Sequence, residues 1–323
     1  VAITVRPEHK LQAFSGFGGN YQRDNAFLPD GGSSSNFGLD VANTLYIAKH
    51  MKYPWARVNL HLFDWEWVND NDDPETTDYT ERFKSHWGDV EVPFDDQREG
   101  LHYKSQVDRY IHIMKQWLPE GTRVIAHADT FPSWLMEGPI IKKGMAAEFV
   151  ECVTSYLVYA REQGLVVDLF ALKDPHKGYP VFTEDEYPKM LVALGKSFAK
   201  NGLKTKLMLG DTNQFYTLKN YAILANDMEL RGYLGGMGYQ YSGVLDGQMP
   251  NHRLWRDLAE HMGLPFFATT FGRSYGTSPT YLFEEVRIQM QLVRDLKVNA
   301  ALLTSFVANS RSPKDNLTFA RTV

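Results

Sequence analysis

Short runs of β-branched and aliphatic residues alternate along this chain with longer stretches whose apolar residues recur every three or four positions. Apolar or period-two runs of about four to eight residues read as strands, and the longer period reads as an amphipathic helix. Strands are predicted at 14–18, 56–62, 123–128, 166–172, 206–210, 236–241, 265–269 and 299–305. Helices are predicted near 40–52, 104–117, 145–163, 184–201, 217–227, 252–262 and 280–296. In KSQVDRYIHIMKQWL, Val107, Ile111, Met114 and Leu118 fall on one helical face. Gly164 and Gly202 follow two of the helices, where a left-handed C-terminal cap favours glycine.

Strands that alternate with helices from end to end specify a parallel sheet with crossover helices. Eight strands and seven intervening helices make a closed (β/α)8 barrel of the α/β class the economical topology, with residues 1–323 as one domain. Only 18 residues follow position 305, so the eighth helix is expected to be short or irregular. Two long loops are expected, one within GGNYQRDNAFLPDGGSSSNFG after the first strand and one at 63–103 after the second. Both leave the C-terminal ends of strands, where barrel active sites are built. The acidic stretch NDNDDPETTD in the second loop reads as a solvated segment, since its carboxylates lack the ligand spacing of calcium loops.

Composition narrows the partners. The chain carries a formal net charge of −5 with both signs interspersed, which argues against nucleic acid or an anionic membrane surface. No run of about 18 apolar residues is present to span a bilayer. The single cysteine, Cys152, lies in a helical pattern and reads as a small core residue, leaving no intramolecular disulfide and no information on compartment. The opening VAITV shows no signal peptide, although a mature form with its leader removed would look the same. With 17 Tyr, 19 Phe and 7 Trp, the chain has rings enough both to fill a barrel and to cover the flat C–H faces of a sugar.

Five segments, in order along the chain, resemble family 30 glycoside hydrolases of clan A. They are QAFSGFGG at 12–19, ARVNLHLFDWEW at 56–67, TFPSWLMEG at 130–138, VDLFALKDPHKGY at 167–179 and LPFFATTFG at 264–272. The resemblance implies a retaining glycosidase barrel for β-linked glycans, secreted or periplasmic, with no cofactor and no metal. Its partners would be an oligosaccharide or another small molecule. It also implies that Arg57 is the arginine of the second strand. The two catalytic glutamates would stand at the ends of strands four and seven, and those places hold Asp174, preceded by Lys173, and Thr270.

Retaining hydrolysis needs two carboxyl groups about 5 Å apart, one nucleophile and one acid/base. Aspartate is one methylene shorter than glutamate, so the carboxyl at 174 falls short by about 1 Å, a large error in positioning. Threonine forms no glycosyl ester, and no general base is evident to activate its hydroxyl. The double-displacement route is therefore expected to be closed. Asp129 and Asp211, after strands three and five, are alternative carboxylates for an inverting route, and Asp211 in LGDTN also reads as a cap. Glu66 is a third.

His127 and Asp129 are two apart on one strand and share a face, with His61 on the strand beside them. The spacing is too loose to define a metal site, and hydrogen-bonded polar residues in a barrel mouth are the expected reading. Lys173 has two readings, an ion pair with Asp174 or Asp129 and a desolvated amine able to form a Schiff base. Trp134, Trp65 and Trp67 on mouth loops, with Tyr239 and Tyr241 near the end of strand six, are candidates for sugar contact. Three functions stay open: a barrel acting on a β-linked glycan, a non-catalytic glycan-binding pseudoenzyme, and a glycosidase scaffold refitted for aldol cleavage through Lys173 or proton abstraction by an aspartate.

Overall fold

A computed structural model describes residues 13–21, 52–60, 62–66, 69, 107, 111, 114–115, 118–128, 131–172, 182, 186–212, 221–222, 224, 226–241, 249–271 and 279–303. Eight strands close into a barrel: β1 (Gly16–Tyr21), β2 (Trp55–Asn59), β3 (Arg123–Ala128), β4 (Leu169–Leu172), β5 (Lys206–Thr212), β6 (Leu234–Gln240), β7 (Phe266–Phe271) and β8 (Ala300–Leu303). Every neighbouring pair is parallel, and β1 pairs with both β2 and β8, so no edge is left. This is the (β/α)8 barrel that the alternation predicts.

Parallel barrel strands are buried on both faces, and the alternation along each strand sorts residues between two cores. Trp55, Ile125, Leu169, Ala171, Met208, Phe267, Ala300 and Leu302 pack together inside the barrel. Ala56, Val58, Val124, Ala126, Phe170, Leu207 and Phe266 join the larger core beneath the helices. Trp55 fills the N-terminal end: its ring lies 4.9 Å from Phe267, and its Nε1 donates to Ser15 Oγ at 2.8 Å. β1 can approach this layer because residue 18 is glycine. A Cβ there would stand 2.1 Å from the Trp55 carbonyl oxygen. The interior is thus filled from the N-terminal end, and barrel sites form at the C-terminal one.

The helices include α1 (Leu62–Trp65), α2 (Ala146–Glu162), α3 (Tyr187–Lys200), α4 (Met228–Arg231), α5 (Met249–Met262) and α6 (Pro279–Arg294). In α2, Phe149, Cys152, Val153, Tyr156, Leu157 and Ala160 are buried, and Thr154 meets Ser197 of α3 at 2.8 Å between hydroxyls. Gly164 and Gly202 adopt φ of +87° and +66°, the left-handed caps the sequence suggests. Val107, Ile111 and Met114 are helical and buried, as their spacing requires.

Several boundaries differ from expectation. β1 runs on to Tyr21 because Asn20 is anchored inside the barrel, so the first loop begins later than glycine content suggests. β2 stops at Asn59, and the apolar LFDW that looks like strand and loop winds into α1, burying Trp65. β4 begins at Leu169, because Val166 is 60% exposed and Asp168 turns to Arg123. The segment after β3 forms a small hairpin, Met136–Glu137 against Ile140–Ile141, turning through Gly138 at φ +61°. Of the helix predicted near 40–52, positions 40–51 lie outside the described residues, as does the segment after Leu303.

Candidate functional site at the barrel mouth

The interior positions above the apolar layer are polar. On β2 the period-two pattern places Trp55, Arg57 and Asn59 on the inner face, and β3 contributes His127 in register with Asn59. Arg57 is fully buried. Its Nη2 donates to Asp211 Oδ2 at 2.6 Å and its Nη1 to Asn20 Oδ1 at 2.9 Å. Asn20 in turn donates through Nδ2 to the carbonyls of Thr269, at 2.9 Å, and Leu303, at 3.2 Å. Gln240 Nε2 donates to the Asp211 carbonyl at 2.7 Å and to its Oδ1 at 3.3 Å. One hydrogen-bonded chain thus spans β1, β2, β5, β6, β7 and β8.

Asp211 reaches this position through a bulge. In the β5–β6 pairing Gly210 faces Gly238 and Thr212 faces Tyr239, so Asp211 is the extra residue. Gly210 and Asp211 have φ of +87° and +60°, left-handed values that glycine adopts freely and aspartate tolerates better than most residues. The bulge turns an acidic side chain into the barrel to meet Arg57. Asp211 is therefore neither a loop cap nor a general base poised in the mouth: it is fully buried and engaged at both carboxylate oxygens.

Thr270 lies at the C-terminal end of β7, buried, in register with Gln240, and its carbonyl accepts the Tyr241 N–H at 2.6 Å. β7 carries its own irregularity here, since the pairing shifts against both β6 and β8 around Thr269 and Thr270. His127 is buried one residue before the end of β3. Trp134 is half-buried, with its Nε1 donating to the Glu66 carbonyl at 3.0 Å. Trp65 is buried instead, stacked on Tyr159 and donating to Ser155 Oγ at 2.8 Å, so its ring belongs to the packing of α2. His61, Asp129, Lys173 and Asp174 lie outside the described residues, as does Trp67. Among the described residues no group of three metal-binding side chains converges.

Tyr239 and Tyr241 pack on α5. Their rings lie 4.7 and 4.6 Å from the His252 imidazole, and Tyr239 also lies 5.6 Å from Trp255. The residue that β6 turns toward Asp211 is Gln240, between them. Burial lowers the His252 pKa from 6.5 to about 4. Because the folded value lies below the unfolded one, the unfolded chain binds the proton more readily between those limits. This contribution to stability is whole above pH 6.5 and is lost as pH falls toward 4, by ~3 kcal/mol in all. His252→Phe is expected to flatten the pH dependence of the urea midpoint across that window.

Sequence reading singles out Arg57, His127, Thr270 and the Tyr239–Gln240–Tyr241 strand end, and passes over Asn20 and Asn59. Period two carries the signal for the asparagines: Gly16, Gly18 and Asn20 share a face of β1, as Trp55, Arg57 and Asn59 do on β2. A buried arginine also demands a buried carboxylate, and LGDT supplies one after a glycine able to form a bulge.

A closed parallel barrel whose polar residues gather at the C-terminal end is the architecture of many glycoside hydrolases, and the fold resembles family 30 and other clan A members. SrfJ from Salmonella typhimurium superposes with a TM-score of 0.65 at 15% identity, over 97% of this chain and 70% of that one. A GH30 endoxylanase from Clostridium papyrosolvens C71 gives 0.58 at 14% identity, over 91% of this chain and 65% of that one. A GH5-4 broad-specificity endoglucanase from Clostridium acetobutylicum gives 0.56 at 12% identity, over 95% and 96%. The chain thus spans about two thirds of the length of the family 30 endoxylanase and nearly all of the GH5-4 endoglucanase. No family model and no curated protein matches the sequence. Among the described residues no helix is long and apolar enough to cross a membrane.

Proposed function

We propose that this chain binds β-linked glycans at its C-terminal mouth and does not hydrolyse them by double displacement. The observation that carries the reading is Thr270, a hydroxyl at the end of β7 of a barrel that resembles retaining glycosidases. A threonine there cannot form the glycosyl ester, because its alkoxide is too basic to leave again. Asp211, a described carboxylate inside the barrel, is held by Arg57 and Gln240 and so is not free to replace it. A half-buried Trp134 beside the mouth provides a ring for the sugar face. Asp174 and Lys173 complete the reading as a shortened acid and its ion-paired neighbour.

Calorimetry with soluble xylo-, gluco- and manno-oligosaccharides, run beside aryl β-glycoside assays, tests this directly. Binding without turnover above the uncatalysed rate is expected. Turnover that Asp174→Asn abolishes would show that the mouth is still an active site. Lys173, as an ion-paired residue, is expected to leave a 1,3-diketone unreacted near pH 7. A stable enaminone at Lys173, read by mass, would favour the refitted-pocket reading instead.

A further inference from the structure

Asn59 ends β2 on the inner face of the barrel, two residues beyond Arg57 and in register with His127. It is 5% exposed, and its Oδ1 has no hydrogen-bond partner among the described residues. Two fully buried atoms share that condition on the inner side of the barrel wall, Arg57 Nε and Thr269 Oγ1. A buried polar atom without a partner costs free energy comparable to a lost hydrogen bond, so a strand end that holds one is built for a partner from outside the chain. Nothing about folding requires an asparagine here. It is a poor strand former, and an aliphatic residue of the same size would fill the position.

We infer that Asn59 is a specificity-determining contact of the mouth, receiving a hydroxyl of a polyhydroxylated ring. The side-chain amide offers an acceptor and two donors, a set that matches vicinal hydroxyls. Asp211 meanwhile engages the guanidinium of Arg57, so the described inner face presents no uncompensated cation to an anionic sugar. The ligand class is accordingly a neutral sugar. The inference rests on the glycan reading above and names the residue that reads the ring.

The test is calorimetry of the parent chain and of Asn59→Leu with the same neutral oligosaccharides, alongside thermal unfolding of both without ligand. The expected result is about tenfold weaker binding by Asn59→Leu. Its melting temperature should be unchanged or raised by about 2–4 °C, because an unsatisfied polar group has been removed. A matching deoxy-sugar should bind parent and variant equally, identifying the hydroxyl concerned. If the parent binds and Asn59→Leu binds as tightly, the inference fails and the glycan reading stands. If Asn59→Leu unfolds at a lower temperature than the parent, the amide has a structural partner and the inference is overturned. A parent that binds none of the sugars overturns the glycan reading and this inference with it.

Discussion

Asp211→Ala is expected to destabilise the fold by about 3–5 kcal/mol, the usual consequence of leaving one member of a buried ion pair without the other. Arg57 is fully buried, so removing Asp211 leaves its guanidinium without an anionic partner. Asn20 satisfies only one of its terminal nitrogens. A second cost comes from the backbone, since alanine at φ +60° lacks the local hydrogen bonding that lets aspartate tolerate the left-handed region. Asp211→Gly separates the two, removing the carboxylate and relieving the backbone, and should recover ~1 kcal/mol relative to alanine. Asp211→Ala combined with Arg57→Met should be more stable than the sum of the single changes, because no lone charge remains. Urea denaturation checks all four. An Asp211→Ala unfolding free energy within about 1 kcal/mol of the parent's would mean that the pair contributes little.

The second large effect is on activity. Lys173→Asn, Asp174→Glu and Thr270→Glu together are expected to confer aryl β-glycoside turnover, whereas Thr270→Glu alone confers little. A nucleophile without an acid leaves the aglycone unprotonated, and a positioned acid/base group contributes ~10²–10⁴ in rate. The triple variant should therefore exceed the single one by about a thousandfold on poorly activated leaving groups. The gap should shrink on 2,4-dinitrophenyl glycosides, which leave without protonation. A folded triple variant with no turnover on either class would count against the proposal that hydrolysis was lost with two carboxylates.

The barrel is legible because period two and helical period alternate without interruption, and β3 coincides with its predicted span to the residue. Where strands were misplaced, hydropathy and register disagreed. Val166 looks like strand but is exposed, while Asn20 and Tyr21 look like loop and are strand. The polar interior was harder to read. Arg57 was legible through the resemblance of its strand, but its partner lies 154 residues away and enters through a bulge that periodicity does not announce. Tyr239 and Tyr241 have the right parity to flank an inward residue, and the irregular pairing of β6 with β5 and β7 decides which one that is. Gln240 stood between them in the sequence, and its contact with Asp211 emerged only from coordinates.

The Asn20 side chain has a consequence for biosynthesis. Its acceptor on β8, the Leu303 carbonyl, lies 283 residues downstream. A ribosome adding about 5–20 residues per second leaves β1 without that partner for roughly 15–60 s. Throughout that interval the first strand is an open edge, able to pair with another nascent chain as readily as with its own. The seam between β1 and β8 is thus where a chaperone would gain most by holding the N-terminal strand. It is also where a truncated product, lacking β8, would be expected to aggregate.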